Sequence, residues 1–273
     1  MSSYPTIFGP LGCPRDRLTS EKPSAPSIAA AALLSLIYAG LVLGNGLDRL
    51  SATRSELANK IPALFASEAW RVEGAQALSD GNALATMKIG EKAVHDAPTD
   101  PQSAAILGAG LLASGDLRQA ERAFRVAGRL GWRVPITQNY WLSKALAVSD
   151  YQSAALRLDA LGRQQPGLLS EHQLLDPMER NPAGRGALIR RLALHPDWLS
   201  NYIAYDAAGS ANALLQRSVV LEEAAQTGLV LGCEAIAPMV RQLVAVKLPD
   251  EAARLWRAHC PAKDKSLVTD PPI

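Results

Sequence analysis

The 273-residue sequence predicts an all-α chain, an α-solenoid of helix–turn–helix repeats behind a single transmembrane helix. Three observations carry that expectation. An uncharged, largely apolar window runs from Pro23 to Leu47. Small residues and turn signals recur at a spacing of 34 between Ser67 and Leu168. Alanine and leucine are plentiful, aromatics make up only 5%, and β-branched runs are short, a composition that favours helices.

The totals narrow the class. Lys and Arg number 28 against 26 Asp and Glu, and a net charge of +2 gives little support to a nucleic-acid-binding domain. Three cysteines, Cys13, Cys233 and Cys260, are too few for a disulfide scaffold and lack zinc-ligand spacing.

Residues 1–26 are rich in Pro, Ser and Gly and cannot bury enough apolar surface to fold alone, so a flexible tail is expected. Leu11-Gly12-Cys13 has the outline of a lipoprotein cleavage site, but Pro10 and the missing apolar stretch upstream exclude it. Residues 27–47 carry no charge, and 21 helical residues span roughly 31 Å, the thickness of a bilayer's hydrocarbon core. A buried soluble helix of that length would normally carry charge. A cleaved signal peptide would need a shorter leader and a small-x-small site after the run. The segment therefore reads as a signal anchor with one span. Ala31, Ser35 and Ala39, and the pair Gly40 and Gly44, give it a small-residue face of the kind that lets helices approach, although alanine-rich spans also show such spacing by chance.

Orientation is balanced, with Arg15, Arg17 and Lys22 on one flank and Arg49, Arg54 and Lys60 on the other. The usual signal-anchor arrangement exports the large C-terminal domain. From 48 to 66 the apolar positions Leu50, Leu57, Ile61, Leu64 and Phe65 fit one helical stripe, a helical connector to the repeats.

The repeat signal is sharpest in Pro101–Val134. That frame holds Leu107-Gly108, Gly115-Asp116, Ala120, Phe124 and Ala127. The preceding frame, Ser67–Asp100, aligns Trp70, Gly74, Gly81, Ala93 and Pro98 with it; the following frame, Pro135–Leu168, aligns Leu142, Asp150-Tyr151, Ala154 and Pro166. A small residue at position eight and alanine at twenty allow two helices to pack closely, and a larger residue at twenty-four fills the gap to the next unit. Gly-Asp at the turn supplies positive φ, and the last proline stops the second helix. Thr86, Gly90 and Ser149 depart from this pattern.

The pattern resembles the tetratricopeptide repeat, a helix–turn–helix unit that stacks into a solenoid. The resemblance covers residues 67–168 and extends weakly to the C-terminus. It implies a concave groove that receives a peptide or helix, shown here by Glu68, Arg71, Gln102, Ala105, Ala109, Leu112, Asn139 and Ser143. Ala75 and Ala109 stand where the carboxylate-clamp subset has asparagine, so that specificity is not expected. Membrane-anchored members of this kind accompany envelope assembly, polysaccharide synthesis or export, and secretion. The expected role is a protein–protein interaction scaffold that recruits or organises components of a cell-envelope complex. Its expected place is the bacterial inner membrane, single-pass, with the C-terminal domain in the periplasm. A cytosol-facing adaptor is one alternative. Another is an enzyme, or a substrate-handling subunit of an envelope enzyme, that uses Glu171, His172, Asp176, Glu179 and Arg185.

After Pro166 the register blurs. Helices are expected at Gly184–His195, Trp198–Tyr205, Asn212–Thr227, Cys233–Val246 and Pro249–His259, so that 169–260 reads as degenerate helical repeats closed by a capping hairpin. Residues 261–273 read as a second flexible tail.

No catalytic residue, cofactor or metal ligand is expected. Gly108-Ala-Gly110-Leu-Leu-Ala113 matches a dinucleotide fingerprint, but its flanks are helix-forming where a strand is required. His95, His172, His195 and His259 fall in no HExxH, GxSxG, CxxC or P-loop pattern, and His259, Cys260 and Cys233 lack a fourth metal ligand. Cys233 and Cys260 flank the Leu248-Pro249 turn at similar distances, which makes them either a disulfide or two buried thiols. Arg118, Arg122, Arg125, Arg129 and Arg133 recur at three- and four-residue spacing, with Lys88, Lys92, Arg157 and Arg163 on corresponding helices. This basic ridge is either a solvated outer face or a contact for lipid headgroups, an acidic polysaccharide or an acidic partner.

Overall fold

The computed structural model describes residues 25–170, 172–204 and 210–260. The tail read at 1–26 lies outside them as far as residue 24, with Cys13, Arg15, Arg17 and Lys22; Glu171 and the tail at 261–273 also lie outside. Every regular element among the described residues is helical, and contacts divide the chain into units 1–47 and 48–273.

The first unit is dominated by α1 (Ala25–Ser51). Its stretch Ile28–Ser51, 24 residues or about 36 Å, is long and apolar enough to cross a membrane. Leu33, Leu34, Leu36, Ile37 and Leu43 are all exposed, so the apolar surface faces outward in several directions. Its polar side chains bond within the helix: Ser35 Oγ donates to the Ala31 carbonyl and Asn45 Nδ2 to the Leu41 carbonyl, both at 2.8 Å. Such internal satisfaction is what a lipid environment demands.

In the second unit the connector read as one helix at 48–66 is different. After the last turn of α1 come two 3-10 turns, Ser55–Lys60 and Ala63–Phe65. Pro62 has no N–H to donate and pushes Ile61 into an extended conformation, φ −78° and ψ 127°, which breaks the helix. The following helix, α2 (Ser67–Ser79), has no side-chain cap from Ala66. Its exposed amides are met from a distance, since the Asp48 carboxylate accepts from Glu68 N at 3.0 Å, Ala69 N at 2.9 Å and Ser67 Oγ at 3.0 Å.

Three helix pairs follow: α2 with α3 (Ala83–Asp96), α4 (Pro101–Ala113) with α5 (Leu117–Leu130), and α6 (Pro135–Ala147) with α7 (Tyr151–Gly162). First helices begin at 67, 101 and 135 and second helices at 83, 117 and 151, a period of 34 in each series. The turns are chemically equivalent. Gly81, Gly115 and Ser149 have φ of 70°, 89° and 57°, and the next residues, Asn82, Asp116 and Asp150, cap the second helices through Ala85 N, Gln119 N and Ser153 N. Glycine takes positive φ without strain, whereas Ser149 carries a Cβ penalty.

The buried positions explain the departures. Ala120 and Ala154 are fully buried, as is Thr86, whose hydroxyl is satisfied by the Asn82 carbonyl at 2.9 Å. Gly108 lies against the Phe124 ring, where an added Cβ would come to 3.1 Å. Gly90 stands where the second repeat has Phe124 because the α4 backbone occupies the space: a Cβ there would lie 2.5 Å from Leu107 Cα. Gly110 faces the Met87 backbone in the same way. The Gly108-x-Gly110 pair is thus used up in helix packing.

The rest of the chain packs α8 (His172–Glu179), α9 (Pro182–Leu192), α10 (Leu199–Ile203), α11 (Ala211–Gln226), α12 (Cys233–Ala245) and α13 (Pro249–His259) into one core with α6 and α7. Trp198 is fully buried in it, and its indole N–H donates to Asp159 of α7 at 2.8 Å. Helix α8 was not anticipated; Pro177 within it breaks the local pattern.

Candidate functional site

The α5 sequence separates its residues sharply. Ala120, Phe124 and Ala127 are buried against α4 and α6, with Phe124 stacked on Tyr140 at 4.1 Å between ring centroids. At about 100° per residue, Arg118, Arg122, Arg125 and Arg129 fall within roughly 60° of arc on the opposite side. All four, and Arg133 beyond the helix end, are exposed. Arg125 pairs with Glu121 at 2.8 Å, and Lys144 reaches the same carboxylate at 3.4 Å, which together hold it below the usual carboxylate range. Arg133 stacks over the Trp132 ring at 4.9 Å. Arg118 and Arg122 line one open cleft with Asp116 and Gln119. Of the other basic residues read with the ridge, Lys88 and Lys92 are exposed, Arg157 donates to Gln138 Oε1 and Arg163 pairs with Asp159.

The eight groove positions behave differently from one another. Ala105 and Ala109 are 0% and 6% exposed, because α4 is packed on both sides by neighbouring helices; they are core residues and present nothing to a partner. Glu68 and Arg71 form an ion pair, and Arg71 also approaches Asp100 at 3.7 Å. Gln102 is half-buried and Leu112, Asn139 and Ser143 are exposed. Asn139 lines a cleft of about 260 Å³ with Ile136, Leu161, Gln165 and Leu174.

Two further clefts lie elsewhere. One of about 480 Å³ is lined by Glu56, Asn59, Glu73, Gln76, Asp80 and Asn82 among others, and burial raises the Glu73 carboxyl pKa although Lys92 opposes it. The other, about 430 Å³ and mainly apolar, lies between the His195–Ala204 segment and Val230, Leu231, Ala235 and Pro238.

Of the polar residues considered for an enzyme, Asp176, Glu179 and Arg185 each take a different charged partner. Asp176 pairs with Arg180 at 2.8 Å, Arg185 with Glu223 at 2.9 Å, and Glu179 turns into the core. There Glu179 Oε1 accepts from Tyr202 Oη at 2.8 Å and Arg217 Nε at 2.9 Å, and Arg217 Nη1 donates to the Leu169 and Tyr202 carbonyls at 3.3 Å. Burial raises the Glu179 carboxyl pKa, with the Arg217 guanidinium pulling it back down. This network was missed from sequence. Arg217 itself was a signal, since it lies three residues after Leu214 and four before Leu221 on the apolar face of α11.

Cys233 and Cys260 are joined by a disulfide, with Cα atoms 4.7 Å apart. Beside them His259 is buried; its Nε2 lies 3.0 Å from the Leu221 carbonyl and its Nδ1 3.4 Å from Leu231 N. No protein-family model matches the chain, and no curated protein or solved structure matches it.

Proposed function

We propose that this chain is a membrane-anchored scaffold of the tetratricopeptide kind, which recruits or organises protein components of a cell-envelope complex. The carrying observation is the 34-residue period of helix starts, turns and caps in a chain whose N-terminal helix is long enough to span a bilayer. Repeated helix pairs present surface rather than a reacting group, and their partners bind as peptides or helices. With Ala105 and Ala109 removed, the partner face is Glu68, Arg71, Gln102, Leu112, Asn139 and Ser143. The protein sits in a bacterial inner membrane by one span, with the helical domain in the periplasm. The Cys233–Cys260 bond supports that side, because disulfides persist in oxidising compartments.

Affinity purification of the full chain through a C-terminal tag in mild detergent, with partners identified by mass spectrometry, tests the reading. Envelope proteins whose recovery drops on Asn139→Arg and Leu112→Arg substitution are the expected result. A chain that solubilises without detergent, or one that retains every partner in those variants, overturns it. A C-terminal reporter fusion active only in the cytoplasm would overturn the periplasmic side.

A further inference from the structure

The outward face of α5 has a chemistry that packing does not require. Arg163, Arg180, Arg185 and Arg254 each have a carboxylate within 3.4 Å. Arg118, Arg122 and Arg129 have no such partner among the described residues. Beside this stripe stand apolar side chains that a solvated face would not need: Val126 is 48% exposed, Leu130 41% and Trp132 54%. Trp132 also forms, with Leu156 and Arg157, one wall of a cleft of about 280 Å³ at the end of the helix.

We propose that this face docks on a bilayer surface containing anionic phospholipid. The proposal rests on the reading of Ile28–Ser51 as a membrane span, which holds the domain at a bilayer and makes docking an intramolecular step. Guanidinium groups bind phosphate oxygens through paired hydrogen bonds, and three unpaired ones on a single stripe can each engage a headgroup. The flanking Val126, Leu130 and Trp132 are placed to enter the headgroup boundary, the combination that interfacial helices present. A hydrated acidic polymer would pair with the arginines but leave Val126 and Leu130 in water. An acidic protein would need a complementary apolar patch as well, whereas a bilayer supplies both from one surface. Glu121 does not cancel the stripe, because Arg125 and Lys144 already neutralise it.

The test uses the full chain, in a Cys13→Ser background, with a nitroxide on Val126→Cys. It is placed in nanodiscs of phosphatidylcholine with or without phosphatidylglycerol. Collision with oxygen reports lipid and collision with a nickel chelate reports water. The expected result is a label that gains oxygen and loses nickel accessibility only when phosphatidylglycerol is present, and that returns to water in high salt. Arg118→Glu, Arg122→Glu and Arg129→Glu together should reduce the docked fraction relative to the undocked by at least about tenfold, since each basic residue contributes roughly fivefold near such a surface. All three side chains are exposed, so an unchanged circular dichroism melt is expected in the variant. A label equally wet in both discs overturns the proposal. So does a label dried in neutral discs by soluble alginate, which would make the face a polysaccharide site. A chain that fails to enter the discs overturns the span reading and this proposal together, whereas a chain that enters with its label in water leaves the span intact.

Discussion

Arg217 Nε lies 2.9 Å from Glu179 Oε1 across 38 residues of sequence, and neither side chain has any exposed surface. The pair joins α8 to α11 in the core of the C-terminal half, with Tyr202 Oη as a third member. Removing one partner strands the other charge in a medium that cannot solvate it. Arg217→Leu should therefore cost about 3–5 kcal/mol. Glu179→Leu with Arg217→Leu should cost less than either single change. Urea unfolding of the three variants checks this; additive costs would show that the two charges are not coupled.

Ser149 holds φ 57° at the position where Gly81 and Gly115 hold 70° and 89°. Replacing it by glycine removes the Cβ penalty at that backbone and loses only some unfolded-state stiffness. Ser149→Gly is expected to stabilise the domain by about 0.5–1 kcal/mol. A lower unfolding midpoint would contradict the assignment of the third turn.

Gly110 faces the backbone of Met87 with no room for a methyl group, and backbone cannot rotate aside. Gly110→Ala should destabilise by roughly 1–3 kcal/mol through separation of α3 from α4. Gly167→Ala, where no heavy atom lies within 4 Å of the added carbon, serves as the comparison. Equal melting temperatures for the two variants would remove the close helix contact from the account.

The disulfide closes a loop of 27 residues between Cys233 and Cys260. Cross-linking a loop of that length stabilises by about 3–4 kcal/mol in the chain-entropy model. Reductant, or Cys260→Ser, should lower the unfolding midpoint by the corresponding amount. A midpoint that reductant does not move, in protein taken from cells without prior reduction, would mean two free thiols.

His259 uses both ring nitrogens in its neutral form, donating to the Leu221 carbonyl and accepting from Leu231 N–H. Burial lowers its pKa from the ordinary 6.5. Below that pH the unfolded chain takes up a proton that the folded chain refuses. The contribution is therefore complete above about pH 6.5 and lost as the pH falls through the depressed folded value. Unfolding midpoints measured down the pH scale should fall less steeply in His259→Gln than in the parent. Parallel slopes would assign the loss to other groups.

Much of this architecture is local and so was legible in the chain. Helix starts at Ser67, Pro101 and Pro135 follow from the 34-residue periodicity of small and turn residues. The apolar run up to Leu47 needs no partner to be recognised, because length and absence of charge define it. The four α5 arginines are exposed because they lie opposite Ala120, Phe124 and Ala127, which periodicity alone predicts.

Other features depend on atoms brought together from distant parts of the chain. Ala105 and Ala109 look like groove residues by position, and only packing on both sides of α4 makes them core. Gly90 looks like a gap in the repeat until the α4 backbone is seen to fill it. Helix α8 had no sequence signal strong enough to place Glu179, so its pairing with Arg217 was invisible although Arg217 stood on an apolar face. Sequence determined the repeating helices, the long apolar N-terminal helix and the arginine stripe, since periodicity and composition act over short range. Tertiary structure decided which small residues are surface, which charges are buried together and which cysteines meet, because those depend on contacts 17 to 38 residues apart.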